Sequence, residues 1–416
     1  MDQTDATADE HKRILIVGAG CSGLVLAQGL TLAGIPVTLY ERRSYESITT
    51  DRDWNMGCHW GIPELAQLVP TSMLERLETA TADPHTPTPE HDTIRFLQSD
   101  TGDAILKLPA DRFYRLRRSA FRLLLGEGLD VHYNARLLDI AYSSDGDYVS
   151  ARFEDGTTAT GCMLIGADGS SSAVRATLLP PQHTTQERIP FVSTFVQSTF
   201  TREQALFLRS FHPLYLGTIH PVGRFGFMGM QHAADPERPE TWLFFFNATW
   251  RSSLEEQKAQ SDWTPAQRLA RIKEIAKDYC EPWRSGLNWL DESAERSVWH
   301  FGMGIWDPRL SEHQWNNHGG RVTLVGDSAH TMTVQRAQGL NHSLKSAREL
   351  CDAIKAFWSG GRTQAEAVDE YEAAMKARAG QEVALSKANT EMLHDWERVK
   401  AGPLFRHGCS IIETKS

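Results

Sequence analysis

The chain lacks the features that would place it in several broad classes. Its six cysteines, Cys21, Cys58, Cys162, Cys280, Cys351 and Cys409, are scattered without paired spacing. Neither a disulfide frame nor a zinc site is predicted, and a reduced compartment fits. Positive charge is in deficit: 43 Lys and Arg stand against 53 Asp and Glu, a formal net charge of −10. That balance leaves no basic stripe for nucleic acid. No apolar run reaches the ~18–20 residues of a membrane span. Residues 1–10, MDQTDATADE, are acidic and polar, unlike a secretory or mitochondrial leader. Internal repeats and low-complexity blocks are absent as well. The expectation is a soluble, cytoplasmic protein with no metal and no nucleic-acid partner; nothing in the sequence sets its oligomeric state.

What is present points to a two-domain globular protein. At 416 residues the chain exceeds what one hydrophobic core usually serves. The 41% hydrophobic content with 23% charge is globular, and twelve tryptophans hint at large apolar contacts beyond a minimal core.

The chain is organised around its first apolar stretch. Ile14–Val17 reads as a buried parallel strand. Gly18-Ala19-Gly20-Cys21-Ser22-Gly23 follows, then an apolar helical run over 24–33. Gly18 permits the tight turn, Gly20 lets backbone approach a pyrophosphate, and Gly23 lets helix pack on strand. The helix N-terminus then faces the phosphate charge. Gly34 stops the helix, and a second strand, 37–40, ends at Glu41. That acid lies about 20 residues past the glycines, where a carboxylate accepts hydrogen bonds from a ribose. A chance glycine turn would not need strand, helix and acid together, so a dinucleotide site is predicted, with Arg42 beside it.

Beyond this unit come a polar segment, Arg52-Asp53-Trp54-Asn55-Met56-Gly57-Cys58-His59-Trp60-Gly61, and a helix from Pro63 to Val69. A linker holding Pro84, Pro87 and Pro89 follows. Strands are predicted at 93–97, 104–108, 131–133, 137–142, 148–153 and 158–162, with a helix after Arg118. A second buried strand runs into Gly166-Ala167-Asp168-Gly169 and a serine-capped helix. Aromatic strands at 191–200, 214–220, 225–230 and 241–250 read as an antiparallel sheet in a second domain. A helix at 265–279 and a strand at 297–301 come next. A third signature, Val325-Gly326-Asp327-Ser328-Ala329-His330, precedes Gln338-Gly339-Leu340-Asn341, which opens a helix to about Phe357. A last helical region spans 364–399 with an interruption at Gly380, and residues after Gly402 read as a tail.

Three strand-terminal signatures in this order resemble the single-component FAD-dependent monooxygenases of the p-hydroxybenzoate hydroxylase type, within a subgroup of fungal secondary-metabolite enzymes. The likeness covers residues 14–361. It implies an α/β fold with a Rossmann-like FAD-binding domain (11–80, 110–182 and 296–361), an inserted antiparallel substrate domain (81–109 and 183–295) and a C-terminal helical region (362–402). It also implies that Gly18, Gly20, Gly23 and Glu41 hold the AMP half of FAD and that Arg118 reaches FAD. Asp168 would order the loop near the pyrophosphate, and Gly326 with Asp327 would meet the pyrophosphate and ribityl end. Gly339, Leu340 and Asn341 would lie under the flavin pyrimidine edge, where a helix N-terminus stabilises negative charge. His330 is a structural position in that family. The sequence departs from the family in two places. Thr333, Val334, Arg336 and Ala337 stand where prolines and a glycine pair are common, and strand 191–200 lacks the arginine that holds an anionic substrate in some members.

The activity so implied is hydroxylation or epoxidation of an apolar, polycyclic natural product. NADPH or NADH would supply electrons to FAD, and O2 would react through a C4a-hydroperoxyflavin. A flavin oxidase or dehydrogenase without oxygen insertion, and a protein that keeps FAD without redox turnover, are the alternatives. A dry aromatic cavity is required. The Phe225/Phe227 strand and the Trp242/Phe244/Phe246 face could line it, although a plain sheet core has the same period of two. His59, Arg336 and His220 are the candidates for substrate orientation or proton transfer; each is also readable as an ordinary surface or core side chain, His220 above all.

Overall fold

The structure, a computed structural model, describes residues 11–144 and 146–402. The acidic stretch 1–10, the tail and Cys409 lie outside the described residues. The chain forms two compact units. The first comprises residues up to Ala80, Arg118–Glu187 and Gly304–Lys387; the second comprises Thr81–Arg117, Arg188–Met303 and residues from Ala388 on. The long C-terminal helix, Gln364–Leu393, is therefore divided between the two rather than standing as a third body.

The first unit is built on a five-stranded parallel sheet. Its strands run in the order Val322–Leu324, Met163–Gly166, Ile14–Val17, Val37–Glu41, Val131–Tyr133. Ile14, Leu15 and Ile16 are wholly buried, as a strand covered on both faces must be. From Ile14–Val17 the chain moves outward to Val37–Glu41 on one side, while Met163–Gly166 and Val322–Leu324 lie on the other. The strand order thus reverses at Ile14–Val17, and loops leaving its carboxyl end diverge to leave a crevice. A three-stranded antiparallel sheet, Leu137–Tyr142, Val149–Phe153 and Thr158–Gly161, completes this unit's strands apart from Asn55–Cys58.

The second unit carries a seven-stranded sheet in the order Val298–Ile305, Glu187–Ser198, Leu243–Arg251, Arg224–His232, Tyr215–His220, His91–Gln98, Ala104–Asp111. Its pairing is antiparallel except between Tyr215–His220 and His91–Gln98, which run parallel. Their separation in the chain leaves room for the long crossover that parallel pairing needs. On one face Val192, Val196, Leu216, Met228, Phe244 and Phe246 pack beneath helical residues including Leu208, Leu269, Ile272 and Trp283. The Trp242/Phe244/Phe246 set is core, not cavity. Register puts Phe245, one residue out of phase, on the opposite face beside Gly229 and Gln197, and Phe227 there beside Asn247 and, across it, Phe195.

Two expectations fail locally for physical reasons. The helix Arg202–Phe211 was not predicted, although Thr201 and Gln204 form a reciprocal capping box that announces it. The C-terminal helix continues through Gly380. A Cβ there would sit 2.5 Å from Cγ of Arg309, so the glycine makes room for a crossing side chain rather than ending the helix. Among the described residues no helix is long and apolar enough to cross a membrane, and no cluster of His, Cys, Asp and Glu could hold a metal.

Candidate active site

The glycine turn at the carboxyl end of Ile14–Val17 is fixed by close approach. Gly18 has φ +109°, and a Cβ on it would lie 2.5 Å from the Ala167 carbonyl oxygen. A Cβ on Gly23 would lie 2.1 Å from the Gly18 oxygen. Gly20 differs: the nearest atom to its Cβ position is 3.8 Å away, so its open side faces space. Gly20 is also the N-cap of the helix Cys21–Leu32 and supplies no side-chain cap. The first-turn N–H groups are left for an outside acceptor.

Glu41 sits at 8% exposure and accepts hydrogen bonds from the N–H groups of Ala19 and Arg43, each at 3.0 Å. Arg122, which the sequence reading missed, donates from Nε to the Ala19 carbonyl at 2.9 Å and places Nη2 3.9 Å from Glu41. Both backbone groups of Ala19 are therefore pinned, and the glycine turn is pre-shaped. Arg42 is exposed beside this pair.

The second and third signatures converge on the first. Asp168 accepts from Ser172 Oγ (2.5 Å), Ala173 N (2.6 Å) and Val174 N (3.2 Å), so its carboxylate is spent on the start of the helix Ala173–Leu178. Gly326 has φ +69°, and a Cβ there would lie 2.2 Å from Ser22 Oγ. Asp327 is different again. Its carboxylate has no hydrogen-bond partner among the described residues and its side chain is open, yet protein surrounds it closely enough that desolvation raises its pKa. The Asp327 side chain is thus open at its tip and flanked by protein of the first unit. Arg118 and Arg175 act on it in the opposite sense by charge.

Arg118 stacks on the Trp54 ring, 4.5 Å from its centroid, with Arg52 at 5.1 Å from the same ring. Burial lowers the pKa of both, and they repel one another. Arg118 and Arg122 both act by charge on Cys21, in the first turn of the uncapped helix, where an anion is favoured. Arg175, also missed, is wholly buried. It donates to the carbonyls of Thr184 (2.9 Å), Ser328 (2.7 Å) and Ser170 (2.6 Å), and so ties the second loop to the third.

The helix Gly339–Trp358 starts without a side-chain cap, and a Cβ on Gly339 would meet nothing within 4 Å. Leu340 is buried. Asn341, expected at the cofactor through its place in the helix start, has its side chain engaged within the protein. Its Oδ1 accepts from the N–H groups of His59 and Gly61, both at 3.0 Å, and its Nδ2 donates to Gly57 and Ala337 carbonyls at 3.2 Å. The amide is saturated by the loop at 57–61 and the turn before the helix, so it positions both.

Of the three proton-transfer candidates, His59 lies beside the start of the helix Gly339–Trp358. It is half-buried, its Nε2 is 3.4 Å from Gln338 Nε2, and burial lowers its pKa. Arg336 is instead paired with Glu382 at 2.7 Å. His220 is spent structurally: one ring nitrogen meets the Asp278 carbonyl at 3.1 Å and the other accepts from Val222 N at 3.1 Å. Neither nitrogen is left for a substrate. His330 is wholly buried, with Nε2 3.0 Å from Ser346 Oγ.

The Arg336–Glu382 pair extends inward. Arg378 donates to His342 Nδ1 at 2.9 Å, which puts the His342 proton on Nε2, 3.8 Å from Glu382. Burial, with the charge of Arg378, pushes the His342 pKa down to about 4 and that of His330 down to about 3. An unfolded histidine titrates near 6.5. Both imidazoles are thus neutral when folded, and stability is complete above pH 6.5. It is lost as pH falls toward 4, because only the unfolded chain takes up protons in that window. We expect His342 to account for about 2 kcal/mol of that loss by pH 5. Thermal melts at pH 7 and 5 should show a flatter response for His342→Gln than for the parent; equal slopes would refute it.

Taken together, an uncapped helix start, two glycines open to space, an unpartnered carboxylate and gathered arginines fit a dinucleotide with a pyrophosphate and polyol. The comparisons agree. Residues 125–386 match the FAD binding domain family, and residues 16–62 match the NAD(P)-binding Rossmann-like domain. The chain is 33% identical to the FAD-dependent monooxygenase phnB of Penicillium herquei, covering 95% of this chain and 94% of that one. It is 32% identical to the FAD-dependent monooxygenase cctM of Talaromyces islandicus, over 95% and 96%. Klebsiella pneumoniae HpxO, solved with FAD and uric acid, has the same fold at TM-score 0.71 and 19% identity, covering 94% of this chain and 92% of its own. So does 2,6-dihydroxypyridine-3-hydroxylase of Arthrobacter nicotinovorans, at TM-score 0.71 and 17% identity, over 92% and 93%. The chain belongs to the single-component FAD-dependent monooxygenases of the p-hydroxybenzoate hydroxylase type.

Proposed function

We propose that this monooxygenase takes electrons from NADPH or NADH and inserts one atom of O2 into an apolar, polycyclic aromatic natural product, by hydroxylation or epoxidation. The observation that carries the reading is the second face of the seven-stranded sheet. There Phe195 and Phe245 stack at 5.3 Å, Phe227 and Phe245 lie at 5.9 Å, and Phe195 and Trp299 at 5.8 Å. Phe195, Phe227 and Trp299 remain half-buried. Rings left partly open on this face suit a flat apolar ligand and keep water from it.

In this reading Gly18, Gly20, Gly23 and the first turn after them receive the pyrophosphate, with Arg118 and Arg52 balancing its charge. Glu41 and Arg42 flank the adenosine side. Asp327 accepts from a ribityl hydroxyl, and the start of the helix Gly339–Trp358 favours negative charge at the flavin pyrimidine edge. FAD, when bound, supplies the redox chemistry and the activation of O2. His59, neutral at pH 7, accepts or relays a proton next to Gln338.

Anaerobic mixing of the purified yellow protein with NADPH tests the proposal. Flavin absorbance should bleach, and one polycyclic aromatic compound should accelerate bleaching about tenfold or more by favouring the competent state. Labelled O2 should then appear in the product. A flavin that neither nucleotide reduces, or product without label, would overturn the reading in favour of a dehydrogenase or a non-redox role.

A further inference from the structure

The aromatic face of the second unit is closed at one end and charged at the other. At the closed end Ile219 and Phe225 pack against Leu393 and Val399 from the C-terminal segment. At the other end Tyr215, Phe227 and Phe245 surround Arg115, whose guanidinium lies 6.0, 5.5 and 5.6 Å from their ring centroids. Arg115 belongs to the strand Tyr114–Arg117 and is only 6% exposed.

Among the described residues this cation has no counter-ion. Its Nε has no hydrogen-bond partner, and no carboxylate among the described residues pairs with it. The hydroxyl of Tyr215 is donated to Asp92. Burial holds the Arg115 pKa down to about 10, so it stays charged at neutral pH. Ring faces attract a cation, but they do not satisfy the in-plane N–H donors of a guanidinium. A buried charge left this way is costly unless an anion completes it. The other buried arginines show the contrast: Arg122 and Arg175 both donate to backbone carbonyls.

We propose that Arg115 is the anion-recognising residue of the substrate site, receiving an anionic oxygen carried by an aromatic ligand whose ring lies among Phe195, Phe227 and Phe245. The inference rests on the functional reading above and narrows its substrate class to acidic aromatics: phenolates, enolates or arene carboxylates. Strand 191–200 lacks an arginine, and Arg115 supplies the charge from a different strand.

The test uses FAD-loaded protein titrated with 2-naphthoate and with 2-naphthamide, which has the same ring system and a neutral head, followed by tryptophan fluorescence. The naphthoate should bind about ten- to hundredfold more tightly. Arg115→Met should bring that ratio to about one, and Arg115→Lys should keep part of it. Equal affinities in the parent protein, no binding of the anion, or a ratio retained in Arg115→Met would overturn the proposal. Should Arg115→Met not fold, the parent and Arg115→Lys ratios decide. NADPH bleaching of the same samples separates two failures. A reducible flavin with no preference for the anion sinks the anion site alone, whereas an unreactive flavin sinks the monooxygenase reading beneath it.

Discussion

Gly23→Ala should yield a colourless protein. The added methyl would lie 2.1 Å from the Gly18 oxygen and 3.2 Å from Cβ of Ala167, and neither neighbour is a flexible side-chain end. Relief requires the helix Cys21–Leu32 to shift from the strand before it, which opens the turn that Arg122 and Glu41 hold shut. Overpacking of this kind costs about 1–3 kcal/mol in stability. The loss of FAD should be larger in effect, about a hundredfold or more, because charge-assisted bonds to the pyrophosphate fail together. The ratio of flavin to protein absorbance after desalting measures it. Gly34→Ala is the control. That glycine has a positive φ (+69°), which Gly23 does not, but a Cβ there would meet nothing within 4 Å, so strain alone is added and the yellow colour should remain. A fully loaded Gly23→Ala protein would refute the close-packing argument.

Arg175→Met should be the most destabilising single change in the first unit. The methionine fills much of the volume but leaves the carbonyls of Thr184 and Ser328 without their donor and that of Ser170 with only Gln186 Nε2 at 3.3 Å, and it removes the cation 4.8 Å from the Trp306 ring. At roughly 1–3 kcal/mol for each stranded acceptor, less whatever water recovers at the half-buried Thr184 and Ser170, we expect about 3–5 kcal/mol. A fall in melting temperature of roughly 10 °C should follow. Arg175→Lys should recover only part of it, because one ammonium cannot span three carbonyls placed for a planar fork. The loops after Asp168 and after Gly326 would also lose their common tie, so FAD content should drop in parallel with stability. A variant with unchanged melting temperature would show that the three bonds are replaceable.

The parts of the molecule legible in the sequence are those whose cause is local. Ile14–Val17 and Met163–Gly166 announce themselves by unbroken apolar residues, and Val322–Leu324 by apolar residues flanking Thr323, each ending in a glycine-bearing turn. The residues that act through the fold were silent. Arg122 reaches the turn across 103 positions and Arg175 reaches Ser328 across 153, and each reads in sequence as an ordinary helix cation. Arg115 was hidden the same way, next to Arg117 and Arg118 in a basic run. The aromatic strand at 241–250 named the right kind of residue and the wrong face, since alternation cannot say which of Phe244 and Phe245 turns toward helices. Gly380 was read as a break because its reason for being glycine, the side chain of Arg309, comes from elsewhere in the chain.

The turn leading into the helix Gly339–Trp358 holds an alanine at a glycine's angle. Ala337 has φ +53°, and its carbonyl is held by Asn341. A left-handed alanine carries about 1–3 kcal/mol of strain that glycine would avoid. Glycine would also enlarge the unfolded ensemble, and the freedom lost on folding, by about 0.4–1 kcal/mol. The methyl group therefore trades local comfort for a narrower set of conformations open to the chain before the helix begins. The entry into the helix is thereby shaped by the chain's own covalent make-up, and its course is set as the chain folds.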